Sequence, residues 1–394
     1  MDKKEQIQAK NESKKKAPSF GKVCIIGLII IVITIIFARY TADEGFRQSV
    51  DSNIFRTELT SDNLNTIEIN SEYNPTIVAL NNSIAVLSKS VLNIYKSSGK
   101  VINSINVNLY SPLKASNGNY LALAESNGNK LYLIKNNSLA WQIKVDGTIS
   151  RINVNNNGYV SVIVTNTSYK SVVILFDNNG NELFKNYLSQ TYAICTDLSP
   201  DNRYLAIGEV DYSGTLIKSY VRMISTEKVS VDADNSIVNR YESEANEIIT
   251  NIKFSDKQNA VCMFTSYVQN ITPTNNSRLF DINNDTIFID INNTSTITLI
   301  EKQSSGLFSY DYQMRTINTL NNSNSLFILS NSMPKTIECI SDKVCINYGN
   351  EIQIINKKGW LLKRYIPHSE IKQIIIGNNI AGIIYKDEID IISI

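Results

Sequence analysis

Histidine is almost absent from this sequence, which contains only His368 among 394 residues. This leaves little room for chemistry built on imidazole, such as Ser-His-Asp catalysis or histidine-ligated zinc. His368 follows Pro367 in a predicted loop, and we expect a surface residue rather than a general base. P-loop, Rossmann, G-x-S-x-G and H-E-x-x-H motifs are also absent. The sequence therefore predicts no catalytic residue, no cofactor and no enzyme activity.

The chain also lacks the net charge that would attract nucleic acid. Its 38 Lys and Arg residues against 37 Asp and Glu residues leave a formal charge of +1, so we expect no nucleic-acid partner. The charge is unevenly spread, because residues 1–22 hold seven lysines against three acidic residues. We interpret residues 1–22 as a basic cytoplasmic tail.

Charge is missing altogether from Val23 to Ala38, which read VCIIGLIIIVITIIFA. Such a run, taken over residues 23–40, is typical of a helix that crosses a bilayer core of about 30 Å. The lysines before it place the N-terminus in the cytoplasm and the rest of the chain outside. We therefore predict a single-pass cell-membrane protein with a lipid-embedded anchor and an extracellular C-terminal domain. The alternative, a cleaved signal peptide, has a poor cleavage site after the apolar run.

Residues 41–63 are polar and connect the apolar run to the rest of the chain. Phe46, Val50 and Ile54 are spaced by four residues, which favours one apolar face of a short helix. We interpret this segment as a juxtamembrane stalk, and a flexible linker is the alternative.

Residues 64–394 alternate short apolar runs with turn signals, which is typical of an all-β domain. Asn-Gly pairs at 117–118, 127–128 and 157–158 and Asp-Gly at 146–147 favour tight hairpins. Proline is scarce, with seven in the chain, and it falls near the boundaries of the runs, as strands require. Long stretches of helical period are rare here.

The order of strands and turns repeats with the period of a propeller blade. Turns between a first and a second strand are predicted near Asn82, Gly118, Gly158 and Asn202, at spacings of 36, 40 and 44 residues. Later turns of the same kind are predicted near positions 256, 342 and 378. A four-stranded unit of about 40 residues indicates a β-propeller. We favour eight blades, with seven as the alternative.

The chain ends after three strands of its last unit, so that blade needs a fourth. The run Asn65 to Asn70 (NTIEIN) near the start of the domain is able to supply it. This closure would join the two ends of the domain in one blade and cover an edge strand.

Particular motifs resemble those of known propellers. Leu198 to Ile207 (LSPDNRYLAI) resembles the SPDG-x-x-LA signature of TolB-type and WD40-like repeats, with Asn202 in place of Gly. Phe176 to Phe184 (FDNNGNELF) resembles the outer hairpin of PQQ-like repeats, and Trp141 before Asp146-Gly147 is a weaker echo of it.

The whole layout, including N-x-x-G-Y-V at 155–160 and G-x-E-L-F-K at 180–185, is similar to an uncharacterised family of membrane-anchored β-propeller proteins of Gram-positive bacteria. The resemblance implies the propeller fold and implies no activity. The likeness to PQQ-like repeats does not extend to a cofactor site, because an adjacent cysteine pair is missing and the chain has only two tryptophans.

Five cysteines and one acidic triplet are the remaining candidates for site chemistry. Cys24 lies in the predicted anchor, and Cys195 and Cys262 are isolated. Cys339 and Cys345 flank a predicted turn, so either a cross-strand disulfide joins them or both are buried thiols. Asp281, Asn283 and Asp285 have the opening spacing of a calcium loop. Thr286 and Asn292 stand where such a loop needs Gly and Glu, so a solvated turn and no metal site are predicted.

These observations favour a non-enzymatic binding or scaffolding module that engages a protein or a cell-envelope ligand through a propeller face or the central channel. The alternative is a glycan lyase or hydrolase using channel carboxylates, for which Glu125, Glu209 and Asp311 are the candidates. A third hypothesis is a signalling anchor whose basic tail contacts cytoplasmic partners or anionic lipid. An enzyme should gather polar groups in one pocket, whereas a binder should expose an aromatic patch.

Overall fold

The computed structural model describes residues 20–42, 58–60, 64–165, 167–229, 234–291, 295–306, 310–329 and 332–394. The chain divides into two compact units, residues 1–56 and 57–394. Most of the predicted tail (1–22) and most of the predicted stalk (41–63), including its three apolar positions, lie outside the described residues.

The first unit contains helix α1, Phe20–Ala42, which has 23 residues and includes the predicted 23–40. Hydroxyl groups in it are satisfied by the helix itself: Thr34 Oγ1 donates to the carbonyl oxygen of Ile30 at 2.8 Å. Its described side chains are those of residues 25 and 27–41. Over the described part of the chain, no helix has the length and apolarity needed to cross a membrane.

The second unit is an eight-bladed β-propeller, which confirms the predicted fold class and the favoured blade count. Blades 1 to 4 are four-stranded antiparallel sheets that follow one another in sequence. Their strands are β3 Thr76–Ala79, β4 Ser83–Ser88, β5 Val91–Lys96 and β6 Val101–Asn106; β7 Pro112–Asn117, β8 Tyr120–Glu125, β9 Lys130–Lys135 and β10 Ser138–Lys144; β11 Thr148–Val154, β12 Val160–Thr165, β13 Ser171–Phe176 and β14 Glu182–Leu188; β15 Tyr192–Leu198, β16 Tyr204–Asp211, β17 Lys218–Ser225 and β18 Ile237–Glu242.

Blades 5 to 8 continue the ring, and the last two also take strands from the start of the unit. Their strands are β19 Ile249–Phe254, β20 Ala260–Phe264, β21 Tyr267–Ile271 and β22 Asn276–Asp281; β23 Thr286–Asp290, β24 Thr296–Ser304, β25 Tyr310–Asn318 and β26 Asn324–Ile328; β27 Thr336–Ile340, β28 Lys343–Asn347, β29 Ile352–Asn356, β30 Leu361–Ile366 and β1 Glu58–Thr60; β31 Gln373–Ile376, β32 Ile380–Ile384, β33 Glu388–Ser393 and β2 Asn65–Glu68. One turn of helix, α2 Thr226–Val229, and two 3₁₀ turns, Ser71–Tyr73 and Asp234–Ser236, lie in the connections.

The hydrophobic core is divided into layers between neighbouring blades. In blade 3 every residue of β13 is buried, because both faces of this middle strand are covered by adjacent blades. One layer joins Ala122 and Leu133 of blade 2 to Val162 and Ile174 of blade 3. A single blade cannot bury both of its faces, so the apolar middle strands require the ring.

The ring closes as the sequence predicts. Strand β2 is the outermost strand of blade 8 and pairs antiparallel with β33, with Asn65 opposite Ile391 and Glu68 opposite Glu388. The strand is shorter than the predicted run, because Asn70 accepts a hydrogen bond from the Glu72 backbone N–H and begins a 3₁₀ turn.

A second N-terminal strand in the ring was not predicted. Residues Glu58–Thr60 form β1, which pairs parallel with β30 at the outer edge of blade 7. These three residues belong to the interval assigned to the stalk. At three residues, the strand is too short for an alternating pattern to mark it in the sequence.

The predicted turns between first and second strands all lie where expected. Gly118, Gly158 and Asn202 have positive φ values of 61°, 79° and 63°, which these residue types tolerate. Asn202 thus replaces the Gly of the propeller signature without strain. In the same turn, the hydroxyl oxygen of Ser199 accepts the backbone N–H groups of Arg203 and Tyr204, each at 3.0 Å.

Candidate functional site

A cavity of about 960 Å³ lies at the centre of the ring of blades. The innermost strands of seven blades line it: β3, β7, β11, β15, β19, β27 and β31. Turns between first and second strands, including those at Asn81, Gly118 and Asn378, complete the wall at one end. The cavity is therefore the central channel of the propeller, and we call it the channel.

Three of the four charged side chains that line the channel are cationic: Lys114, Arg151 and Lys253. They come from blades 2, 3 and 5, so they approach the cavity from different sides. Lys114 Nζ donates to the carbonyl oxygen of Ile77 at 2.8 Å. Burial among channel residues lowers the pKa of Lys114, although the nearby Glu338 carboxylate acts in the opposite direction.

Lys253 is partly neutralised by the buried carboxylate of Asp197, with Nζ 3.5 Å from Oδ1. That carboxylate has closer partners: Asn153 Nδ2 donates to Oδ1 at 2.6 Å, and the Phe254 backbone N–H donates to Oδ2 at 2.6 Å. Asp197 is thus a structural acceptor that joins blades 3, 4 and 5 below the channel wall. The ammonium group of Lys253 is held loosely beside it, at the limit of hydrogen-bond distance.

Arg151 has no hydrogen-bond or ion-pair partner for its guanidinium within the described residues, and its side chain is exposed. It also lines a second cavity, of about 490 Å³. This cavity lies at the end of the innermost strands that is opposite the Asn81 turn. The second cavity is bordered by Tyr192 and Tyr212. Arg151 is therefore within reach of a ligand in either cavity.

The fourth charged residue of the channel is Glu338 on β27. Desolvation by burial, together with the nearby charge of Asp290, raises the pKa of Glu338 to about 7, while Lys114 acts to lower it. A carboxyl group of this kind changes its charge near neutral pH. The channel thus presents three cations against one titratable acid.

Side-chain amides bridge the blades at one end of the channel. Asn378 Nδ2 donates to Asn81 Oδ1 at 2.6 Å, and Asn81 Nδ2 donates to Asn119 Oδ1 at 2.9 Å. On the other side of the ring, Asn155 Nδ2 donates to Asn202 Oδ1 at 2.6 Å. The amides therefore fasten neighbouring first-to-second-strand turns, and we interpret this end as structural.

The opposite end of the blades carries the tyrosines. Second-to-third-strand turns and inter-blade loops lie at this end. All six tyrosines that are exposed among the described residues lie in these connections or, for Tyr187 and Tyr310, at the adjoining end of a strand. We call this end the tyrosine face; its members are Tyr73, Tyr110, Tyr169, Tyr187, Tyr212 and Tyr310.

The tyrosines are densest beside the second cavity, at blades 3 and 4. The rings of Tyr192 and Tyr212 stack with centroids 5.0 Å apart at an interplanar angle of 14°, and those of Tyr169 and Tyr187 lie 4.7 Å apart. Lys170 Nζ is 5.2 Å from the centroid of the Tyr192 ring. Paired rings lose little conformational entropy on binding and offer both apolar and hydrogen-bonding surface.

None of the three predicted channel carboxylates lines the channel. Glu125 accepts the backbone N–H groups of Tyr110 and Ser111 and so fixes a loop. Glu209 is fully buried and pairs with Arg222 and with the hydroxyl of Thr191. Asp311 lies on β25, a third strand, and is not among the channel residues. The structure therefore does not bring these three carboxylates together.

The disulfide alternative for Cys339 and Cys345 is wrong, because both are free and buried. Cys339 lies opposite Val344, and Cys345 lies opposite Glu338. An offset of one residue points the two side chains to opposite faces of the sheet. Burial raises the pKa of the Cys345 thiol to about 12, and the same cause raises the pKa of Cys195, which lines the channel, to about 12.

The other two predicted positions have structural roles. His368 is exposed, as the sequence predicts: its ring lies 4.3 Å from that of Tyr385, and Nε2 is 2.8 Å from Glu388 Oε1. The Asp281 carboxylate pairs with Arg278 Nε at 2.6 Å, and Asn283 accepts the Asp285 backbone N–H within a turn. Within the described residues there is no group of three potential metal ligands.

The basic lining of the channel and Glu338 were missed by the sequence reasoning. Three of the innermost strands that line the channel contain a register irregularity near the start, such as that between Ile149 and Arg151 in β11. A bulge reverses the alternation of inward and outward side chains after it. In the sequence, the only sign of charged residues in the channel is that a charged residue occurs in the first strand of each of these blades.

Comparison with solved structures finds other propellers. Sqt1 from Chaetomium thermophilum is similar over 84% of this chain and 99% of that protein, with 10% identity and a TM-score of 0.53. A eukaryotic initiation factor is similar over 79% of this chain and 81% of its own, with 11% identity and a TM-score of 0.51. BamB from Moraxella catarrhalis is similar over 83% and 96%, with 11% identity and a TM-score of 0.47. At these identities the likeness shows the fold alone.

Comparison with curated proteins gives no match. Residues 56–394 match a family of unknown function, DUF5711. The matched interval covers the whole propeller, including the two N-terminal strands that complete blades 7 and 8.

Proposed function

Since the chain belongs to the DUF5711 family of unknown function, we propose from the geometry that its propeller is a non-enzymatic binding or scaffolding module. Its partner is a protein that docks on the tyrosine face. The observation that carries this proposal is the position of the six exposed tyrosines, all at one end of the blades.

Exposed tyrosine is the residue type that protein interfaces favour at their energetic centres. Tyr110 and Tyr212 are 89% and 57% exposed, so their rings are open to a partner. At the opposite end, amide groups are already engaged in bridges between blades. This asymmetry favours docking at the tyrosine face.

We further propose that the propeller is extracellular and held at the cell membrane by the segment around α1. The uncharged run from Val23 to Ala38 and the lysines before it support this setting. Alkaline extraction of cell membranes, followed by protease treatment of intact cells, tests it. Release of the chain by alkali, or protection of the propeller from external protease, would contradict the setting.

Capture by chemical cross-linking in cells that express the full chain tests the partner. We expect the double variant Tyr192→Ser/Tyr212→Ser to lose a cross-linked protein that the wild type captures. Trp360→Ser is the matched control, because Trp360 is also exposed, has a lysine above its ring and lies on a third-to-fourth-strand turn at the other end. Equal capture by the double variant and by the control would refute docking at this face.

One observation favours a second function, an envelope-facing glycan lyase or hydrolase. Glu338 lies in the channel with a pKa of about 7, as a general acid or base requires. Glycoside hydrolysis usually needs a second carboxylate, and Glu338 is the only carboxylate among the channel residues that the structure describes. Turnover of a glycan panel by the wild type, abolished by Glu338→Gln, would establish this function in place of the first.

A further inference from the structure

We propose that the channel is a binding site for a compact oligoanion, a ligand with two or more phosphate or carboxylate groups held by Lys114, Arg151 and Lys253. The site is separate from the tyrosine face, so it goes beyond the proposed docking function, and either can fail without the other.

Positive charge is concentrated in the channel. Lys114, Arg151 and Lys253 are the only cations among the described channel residues, and they come from three blades. One acid, Glu338, lines the same cavity, which leaves an excess of positive charge in a concave site. Such a site focuses field lines and raises the local concentration of anions.

Two of the channel cations, Arg151 and Lys253, have unused hydrogen-bonding capacity. No described residue accepts a hydrogen bond from the guanidinium of Arg151. A guanidinium can donate two parallel hydrogen bonds to the two oxygens of a phosphate or carboxylate. Lys253 lies 3.5 Å from Asp197, whose oxygens are each occupied at 2.6 Å by another donor. An incoming anion could therefore accept hydrogen bonds from both Arg151 and Lys253.

The size and polarity of the channel also suit a ligand with several anionic groups. A volume of about 960 Å³ is at the upper end of ordinary ligand sites and far exceeds that of one phosphate group. Asn117, Asn251 and Ser116 also line the cavity and offer neutral hydrogen-bond donors. Several anionic groups on one ligand can thus contact cations of different blades at the same time.

Glu338 gives the site a distinctive dependence on pH. The charged groups that act on it are Asp290 of blade 6 and Lys114 of blade 2, and the thiols of Cys339 and Cys345 are close by. When its carboxyl group is protonated, Lys114 loses an internal counter-charge and the channel becomes more positive. Binding of an anion should therefore strengthen as the pH falls through about 7.

Isothermal titration calorimetry of the full chain in a non-ionic detergent tests the proposal, with tripolyphosphate and citrate as probes at matched ionic strength. Binding of tripolyphosphate alone would identify phosphate as the ligand group, and binding of citrate alone would identify carboxylate. We expect Arg151→Gln to weaken binding by about tenfold. Lys144→Gln on the outermost strand of blade 2 is the control, and it should bind like the wild type.

A gain of binding separates this site from a folding defect. We expect Glu338→Gln to bind about fivefold more tightly than the wild type at pH 8 and to bind like the wild type at pH 6, since the probe has the same charge in both titrations at each pH. The proposal is overturned if the wild type binds neither probe, if Arg151→Gln and Lys144→Gln weaken binding equally, or if Glu338→Gln leaves the affinity unchanged at pH 8.

Discussion

Asn81 and Asn378 are 297 positions apart in the chain, yet the amide of Asn378 donates to the side-chain oxygen of Asn81 at 2.6 Å. The bond joins the first blade to the last. Asn81 also donates to Asn119 at 2.9 Å and so links blades 8, 1 and 2. Closure of the ring thus depends on side chains as well as on the shared strand of blade 8.

Asn81→Ala should destabilise the propeller, because it removes both of these hydrogen bonds. We expect the free energy of unfolding to fall by about 2 kcal/mol, measured by chemical denaturation. Asn82→Ala is the matched control: Asn82 accepts one bond, from Asn379 at 2.7 Å, so its effect should be about half as large. Equal effects of the two substitutions would contradict the bridging role of Asn81.

Gly377→Ala should destabilise the same junction more strongly. A Cβ atom at position 377 would lie 1.9 Å from the carbonyl oxygen of Leu80 in blade 1. The backbone must shift to relieve this clash, and we expect a loss of about 3 kcal/mol. At Gly214 a Cβ atom would meet nothing closer than 3.8 Å, so Gly214→Ala should leave the melting temperature unchanged. A normal melting temperature for Gly377→Ala would show that blades 8 and 1 are not in close contact there.

Glu338 should make the propeller less stable as the pH rises. The pKa of its carboxyl group is about 7 in the folded chain, against an ordinary value of 4.5. Its contribution is therefore complete below about pH 4.5 and is lost as the pH approaches 7. Glu338→Gln should stabilise the chain at pH 8 by about 2 kcal/mol, less than full conversion of the shift because the side chain faces a cavity.

Denaturation of wild type and Glu338→Gln at pH 5 and pH 8 measures this effect. Glu370→Gln, at an exposed position in the loop before β31, is the control and should not change the dependence on pH. If Glu338→Gln destabilises the chain at pH 8, the carboxylate is stabilised by partners rather than disfavoured by burial.

The four cysteines of the propeller should be inert in the folded state. Cys262, Cys339 and Cys345 are buried and Cys195 is half-buried, and burial raises the pKa of each thiol, so little reactive thiolate forms at neutral pH. We expect a thiol reagent to label none of the four in the folded chain and all of them after denaturation. Mass spectrometry of a non-reduced digest that recovered a peptide linking Cys339 to Cys345 would contradict this expectation.

The propeller was predictable because its turns are local signals. Gly118, Gly158 and Asn202 occupy backbone conformations with positive φ, which few residue types accept, so the sequence marks them directly. The sequence predicted no such turn for blade 6. The connection between β23 and β24 contains Asn-Asn-Thr at 292–294 and no glycine. These three residues lie outside the described part of the chain.

The channel could not be predicted in the same way. Whether Arg151 faces the axis depends on the bulge after Ile149, and whether Glu338 opposes Lys114 depends on which blades face each other across the ring. The orientation of Arg151 is thus set by strand register, and the position of Glu338 opposite Lys114 is set by the number of blades. The tyrosine face could not be predicted for a similar reason. Its members are distant in sequence, and the alternation of strand direction brings them to one end of the blades.

Strand β2 has a consequence for the order in which the protein forms. Its residues leave the ribosome before any blade, but their partner β33 is made after every other strand of the ring. The first seven blades can therefore begin to fold earlier in synthesis, whereas the eighth must wait until β33 has been made. Until then the ring is open, β2 has no partner strand, and the apolar side chains of blades 1 and 7 that pack on blade 8 are uncovered.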